Sequence, residues 1–402
     1  MACGRGRWST GHALLSCVLM LAGCSHLRPK PVKQYVYVTA KQTYLRDRVA
    51  AVSNRTATVT NGEKLQVLEQ GRRFIQVETE KGERGWIDTK AVATPGIFDQ
   101  FDELKRQSKD DPAVASAVVR DEVYLHVKPG RDTERFYLLN EGEKLKMLRR
   151  ATVPKPLPPG QRPQRPKPVV VAGSGAAAGA APEARGQKSG GLTESAGQEP
   201  AAPVMEDWWL VRDSKGETGW IYARMIDVDA PDALTRYSEG QRFVGAYVLT
   251  TVNDPEAPQD EKNIAEYVTV LSPYKAGLPY DFDQVRVFTW NVKKHRYETG
   301  FREKNVEGYL PVTIGRSTDP YSKGPAAGVA APTFSYKVLS ANSGPVVPDP
   351  VTGAVVPGST VVKTYRLEGN MIRRLAASGA TSEAEAHPEP VAEKRAGRRR
   401  RR

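Results

Sequence analysis

Over short stretches of this chain, apolar residues fall at alternate positions, with Gly or Asn-Gly between the stretches. Val36 to Thr39, Thr43 to Arg46, Lys64 to Glu69, Phe74 to Glu78 and Gly85 to Asp88 are rich in Val, Leu, Ile and aromatics. Asn61-Gly62, Gly71 and Gly82 separate them. Each stretch predicts a strand. Five short strands within about 60 residues suit a small barrel, which removes most exposed strand edges. Farther on, Ile97, Phe101 and Leu104 recur at helical spacing among Asp102, Glu103 and Lys105. They predict a short connecting helix within 95–113 that packs on a barrel. From Arg236 to Leu375 the chain again reads as strands: Phe243 to Val252, Glu266 to Leu271, Gln284 to Asn291, Arg296 to Glu303, Tyr309 to Ile314, Thr333 to Leu339 and Val361 to Leu367. The turn Asn291 to His295 closes a hairpin, and Gly369-Asn370 makes another before Met371. These predict an antiparallel β meander domain over 236–375, a sandwich or a partial barrel, with mobile loops at Arg316 to Ala331 and Asn342 to Gly358.

The first pattern occurs twice. Tyr44-Leu45 and Gly62-Glu63-Lys64-Leu65 return as Tyr124-Leu125 and Gly142-Glu143-Lys144-Leu145, at an offset of 80. Phe74-Ile75-Gln76-Val77 and Gly82-Glu83-Arg84-Gly85-Trp86-Ile87 return as Trp208-Trp209-Leu210-Val211 and Gly216-Glu217-Thr218-Gly219-Trp220-Ile221, at an offset of 134. The second copy has therefore gained 54 residues between its halves. The stretch 151–204 supplies them; it is rich in Pro, Gly and Ala and has no aromatic residue. Such a segment buries too little apolar surface to offset its ordering entropy, so it is expected to be a disordered insertion. Loop closure costs grow only logarithmically with length, so the host fold tolerates it.

The closing Gly-x-x-Gly-Trp, the Gly-x-x-Leu middle and the start Leu125-His126-Val127-Lys128-Pro129-Gly130 resemble the bacterial SH3-like (SH3b) family. Copy one starts Leu45-Arg46-Asp47-Arg48, without the Gly, and carries Phe74 where the family prefers Trp. The resemblance implies two small SH3-like barrels, over 34–94 and 114–228, that act as binding modules for peptidoglycan peptides or envelope proteins. Binding of that kind needs a shallow aromatic groove with a few polar groups. Neighbours in a strand point to opposite faces, so Trp208 and Trp209 cannot both face one core. Aligning the copies makes Phe74 and Trp208 the core pair and leaves Ile75 and Trp209 outward. The candidate ligand-binding residues are Tyr44 and Trp86 in copy one, and Tyr124, Trp209, Trp220 and Tyr222 in copy two. Trp86 and Trp220 have a second reading, as packing anchors of the last strand.

The N-terminus changes the setting. Arg5 and Arg7 precede an apolar run, Ala13 to Ala22, that ends in Leu21-Ala22-Gly23-Cys24. That run is too short for a bilayer, which takes about 20 residues. It resembles a lipoprotein signal peptide over 1–23, with Cys24 as the lipidation site and 24–33 as a tether. The alternative is an ordinary secretory signal. Ser25 after the cysteine resembles lipoproteins sorted to the periplasmic side of an outer membrane, if the organism has two membranes. The other cysteines, Cys3 and Cys17, lie within the signal peptide. The mature chain is thus expected to lack disulfides, thiolate metal sites and a cysteine nucleophile.

A net charge of +13 is concentrated partly in the run Arg398 to Arg402. A like-charge block of this kind is expected to be a disordered basic tail over 376–402, available to anionic surfaces. Export argues against nucleic acid as a partner. Asp281, Asp283, His295, Glu298, Glu303 and Glu307 lie on strand and turn positions expected to be exposed. Neither a Gly-x-Ser-x-Gly elbow nor a phosphate loop occurs. The expectation is a non-catalytic, lipid-anchored envelope protein with no cofactor and no metal, whose barrels bind peptidoglycan or envelope proteins. The alternative is a protein-binding scaffold or assembly factor that never touches the wall.

Overall fold

A computed structural model describes residues 33–156, 203–318 and 328–375. The chain divides into two compact units, Met1–Pro95 and Gly96–Arg402. The fold is mainly β, built from antiparallel sheets. In the first unit the strands are β1 (Tyr35–Val38), β2 (Gln42–Arg46), β3 (Arg55–Thr60), β4 (Lys64–Gln70), β5 (Phe74–Glu78), β6 (Arg84–Asp88) and β7 (Val92–Ala93). They pair in the order β3-β2-β6-β5-β4-β1-β7. One side chain in two points inward, and Val38, Leu45, Val59, Leu65, Ile75, Val77 and Ile87 form the core. The expected core position Phe74 is corrected: Ile75 is buried and Phe74 faces out, half exposed. Five strands were legible from pattern. Strands β3 and β7 were not, because β3 (Arg-Thr-Ala-Thr-Val-Thr) supplies only Ala57 and Val59 to the core and β7 is two residues long.

The second unit begins with the expected helix, α1 (Pro95–Gln107). It then repeats the strand order of the first: β8 (Ala115–Val119), β9 (Val123–His126), β10 (Arg135–Leu139), β11 (Lys144–Pro154), β12 (Met205–Arg212), β13 (Thr218–Tyr222) and β14 (Ile226–Val228), ordered β10-β9-β13-β12-β11-β8-β14. Position for position this matches the first sheet. Helix α1 inserts Phe101, 1% exposed, against Phe136 and Tyr137, at ring distances of 6.1 and 5.4 Å. The insertion starts later than expected. Ala151, Thr152, Val153 and Pro154 continue β11 and pair with Trp208, Asp207, Glu206 and Met205.

The repeated Gly-x-x-Gly-Trp has a steric cause in each copy. Gly82 and Gly216 both have φ near +83°, which an L side chain resists. Gly85 and Gly219 are needed for a different reason. A Cβ on Gly85 would sit 2.7 Å from Leu45 Cβ, and one on Gly219 would sit 2.7 Å from Leu125 Cβ. The last long strand crosses so near to the first hairpin strand that a methyl group has no room.

After a single helical turn, α2 (Asp232–Thr235), comes a meander of seven strands. They are β15 (Gln241–Asn253), β16 (Asn263–Pro273), β17 (Phe282–Asn291), β18 (Arg296–Ser317), β19 (Ala331–Leu339), β20 (Thr360–Glu368) and β21 (Met371–Arg374), paired in sequence order. Two expected strands are one continuous β18. The Asn291–His295 turn closes its hairpin, with His295 at φ +48°. Strand β15 also approaches β18 and β19, so the sheet curls on itself. The meander is joined to the preceding barrel by buried charge. Arg150 meets Asp281 at 2.9 Å and Asp207 at 3.9 Å, and Arg242 meets Asp207 at 3.3 Å. Two guanidiniums therefore balance two carboxylates, as burial of charge demands. The 342–358 loop, expected to be mobile, is held by an isolated bridge from Ala354 to Ala151 and by the Thr152 N–H donating to Gly353 O at 2.7 Å. Part of the 316–331 loop lies outside the described residues.

Candidate functional site

The outward faces of β2, β5 and β6 form a groove of about 550 Å³ on the first barrel. Strand alternation sets its floor. Leu45, Ile75 and Ile87 point in, so Tyr44, Phe74 and Trp86 point out. Trp86 pairs across the strands with Arg46 and Gln76. Ala50 and Ala51 form one rim, on a loop closed by Asp47, which accepts from the Asn54 N–H at 2.9 Å and from Nδ2 at 3.0 Å. Arginines surround the aromatics. Arg55 stacks 3.9 Å above the Tyr44 ring, Arg73 lies 5.4 Å from the Phe74 centroid, and Arg46 donates to Ser53 at 2.9 Å. Asp88 is the one acid that lines the groove. The Lys90 N–H, at 2.9 Å, holds its carboxyl below the ordinary range against partial burial, and Arg73 at 3.5 Å adds to the effect.

The second barrel presents the same face with different chemistry. Tyr124, His126, Trp208, Trp220 and Tyr222 occupy the positions of Tyr44, Arg46, Phe74, Trp86 and Asp88. Trp208 meets His126 at 5.0 Å and Tyr222 at 5.7 Å. Here the groove is covered. Where the first barrel has Ala51, the second has Arg131, which lies 4.9 Å from the Tyr222 centroid and binds Glu206 at 2.8 Å. Trp208 is consequently only 2% exposed, and its Nε1 is buried without a hydrogen-bond partner. Burial, with the nearby Arg135 charge, pushes the His126 ring below its ordinary value against a hydrogen bond to Thr133.

Trp209 corrects the sequence reading. It was expected to face outward, yet it is 5% exposed and pairs with Ile221 on the inward side. Its edge lines a separate cavity of about 880 Å³ between the second barrel and the meander, with Met147, Ile226, Arg242 and Tyr274. The structure thus brings Tyr44 and Trp86 together in one groove, and Tyr124, Trp220 and Tyr222 on the equivalent face. It leaves Trp209 apart from both. Sequence reasoning missed Phe74 and the arginines. The offset of 80 that pairs Ala51 with Arg131 was the signal available for the open and covered faces.

Several acids of the meander are less exposed than expected. Asp281 is drawn into the Arg150 network, and burial raises its carboxyl above the ordinary value despite Arg150. Glu303 accepts from Lys363, Tyr365 and Tyr336 and lies beside stacked rings. Asp254, 1% exposed at its side chain, accepts from Trp290 Nε1 and His295 Nδ1, each at 2.7 Å. Every hydrogen bond made by these acids satisfies another part of the fold. Among the described residues, no cluster of three His, Cys, Asp or Glu is arranged to hold a metal. Cys24, the leader and the basic tail lie outside the described residues.

Residues 42–93 match the bacterial SH3 domain family, so the first unit holds a bacterial SH3 domain. No curated protein matches the chain. Among solved structures it is similar to NlpC2 from Trichomonas vaginalis, at 8% identity over 52% of this chain and 56% of that one, with a TM-score of 0.14. It is similar to an NlpC/P60 family protein from Bacillus cereus ATCC 10987, at 9% identity over 69% of this chain and 100% of that one, with a TM-score of 0.20. A third, NlpC1 from Trichomonas vaginalis, gives 6% identity over 68% and 89% of the two chains and a TM-score of 0.14. The chain spans just over half of the first of these. At such scores the likeness carries no argument about activity.

Proposed function

We propose that this is a cell-wall-associated binding protein whose first barrel holds its ligand in the Tyr44–Phe74–Trp86 groove. The observation that carries the reading is an open aromatic groove on a bacterial SH3 domain. Domains of that family are binding modules, often directed at peptidoglycan peptides. Stiff, amphipathic rings give contact area at low entropic cost. In this reading the second barrel is a second SH3-like copy turned to structural use. Its groove is covered by Arg131, and its body is joined to the meander through Arg150, Asp207 and Asp281. The protein does no chemistry. Lipid on Cys24 fixes it at a membrane of the envelope, and tethering raises the effective concentration of a weak groove near the wall.

Co-sedimentation of the full chain with purified peptidoglycan tests the reading. Retention by the native protein and its loss in Trp86→Ala, with the barrel still folded, supports wall binding. Absence of retention turns the groove over to the alternative reading, an envelope-protein partner. Mass spectrometry of the membrane fraction tests acylation at Cys24 separately.

A further inference from the structure

We propose that the groove of the first barrel selects ligands bearing free carboxylates, so that its wall ligand is an acidic peptide and not a glycan or a phosphodiester polymer. This rests on the wall-binding reading above and narrows it. Three arginines, Arg46, Arg48 and Arg73, line the groove with one carboxylate, Asp88. Arg55, stacked on Tyr44, adds a fourth guanidinium at the edge. Planar guanidiniums bind carboxylates in bidentate pairs, and their faces stack on aromatic rings. An uncharged sugar chain leaves this excess positive charge unanswered.

The corresponding positions of the second barrel sharpen the point. Arg48 and Arg55 keep basic counterparts in Lys128 and Arg135, but Arg46, Arg73 and Asp88 correspond to His126, Asp207 and Tyr222. There Asp207 is buried and committed to Arg150 and Arg242. Arg46 and Arg73 are therefore particular to the first barrel, while Arg131, which the second barrel adds, is taken up by Glu206. Asp88 argues against a continuous polyanion. It is a fixed negative charge on the groove wall, held by the Lys90 N–H and Arg73, and a phosphodiester chain laid along the groove passes it. A peptide presents separated carboxylates with apolar side chains between them, which matches arginines set around Tyr44, Phe74 and Trp86.

The test uses the full chain and three preparations of purified peptidoglycan. One is untreated, one is stripped of phosphodiester polymers with hydrofluoric acid, and one has its peptide carboxylates amidated with carbodiimide and ammonia. Retention is expected to be equal on the first two and roughly tenfold lower on the third. Protein carrying both Arg46→Gln and Arg73→Gln is expected to show the lower level on all three, with an unchanged melting curve because both side chains are exposed. Retention insensitive to amidation or to the arginine changes, yet lost in Trp86→Ala, overturns the carboxylate assignment and leaves the wall-binding reading standing. Loss on the acid-stripped material assigns the ligand to phosphate and overturns it equally. No retention of any protein on any preparation removes the wall-binding reading, and the inference falls with it.

Discussion

Replacing Gly85 with Ala tests whether the repeated Gly-Trp is a packing requirement. The added Cβ would lie 2.6 Å from Thr56 Oγ1, 2.7 Å from Leu45 Cβ and 3.0 Å from Arg46 O. Ordinary contact is about 3.5 Å or more, so three neighbours are overlapped at once. Thr56 Oγ1 can rotate away. Leu45 Cβ and the Arg46 carbonyl are fixed by the pairing of β2 with β3 and β6. Overpacking of this kind costs about 1–3 kcal/mol, and the rigidity of two of the three neighbours puts Gly85→Ala near the top of that range. A barrel of this size has a total stability of roughly 3–9 kcal/mol. With a urea m-value of about 1 kcal/mol/M, the midpoint should fall by about 2–3 M. Trp86, the tryptophan of the described part of the first unit, reports the transition by fluorescence. Adding Thr56→Ala should recover less than half of the loss, since it clears the only movable contact. A midpoint within about 0.3 M of the native value would refute the close-approach argument.

Phe101→Ala should destabilise the second unit by about 3–5 kcal/mol, seen as an earlier urea transition with the first unit unaffected, because the ring is fully buried against Phe136 and Tyr137. Arg131→Ala should open the second groove and raise acrylamide quenching of tryptophan emission. The stability cost should be about 3 kcal/mol, because Arg131 is half exposed but its partner Glu206, 4% exposed, loses its cation. Asp254 has a carboxyl held below its ordinary value, burial opposing and the Trp290 and His295 hydrogen bonds prevailing. Its contribution is therefore present above the unfolded value of 3.8 and is lost as pH falls through the lower folded value. Asp254→Asn should remove that part of the acid destabilisation below pH 3.8 in a pH-resolved melt, and an unchanged slope there would contradict the assignment.

Strand existence and the internal repeat were legible because alternation and turn glycines act locally. The inward or outward sense of a strand was not always legible. Aligning the copies put Phe74 and Trp208 in the core, but Ile75 fills the interior of the first barrel and Phe74 lines the groove. In the second barrel Trp209 takes the side where Ile75 sits in the first, and its edge reaches the cavity beside the meander. Burial of Trp208 depended on Arg131 and Glu206, which are 75 residues apart in the chain. The Arg150–Asp207–Asp281 network spans the insertion and the meander, so no local pattern could announce it. Of the site, Tyr44 and Trp86 were legible as exposed aromatics on adjacent strands. The arginines around them were not, because charge on a strand's outer face reads as ordinary solvation until the fold collects it.

The central claim is that the first barrel's groove, and not the second's, meets the wall. Indole N–H resonances of the full chain, titrated with soluble peptidoglycan fragments, test it most directly. The account predicts that the Trp86 signal moves while those of Trp208, Trp209 and Trp220 stay in place. Movement of Trp208 or Trp220 with Trp86 unchanged would contradict it.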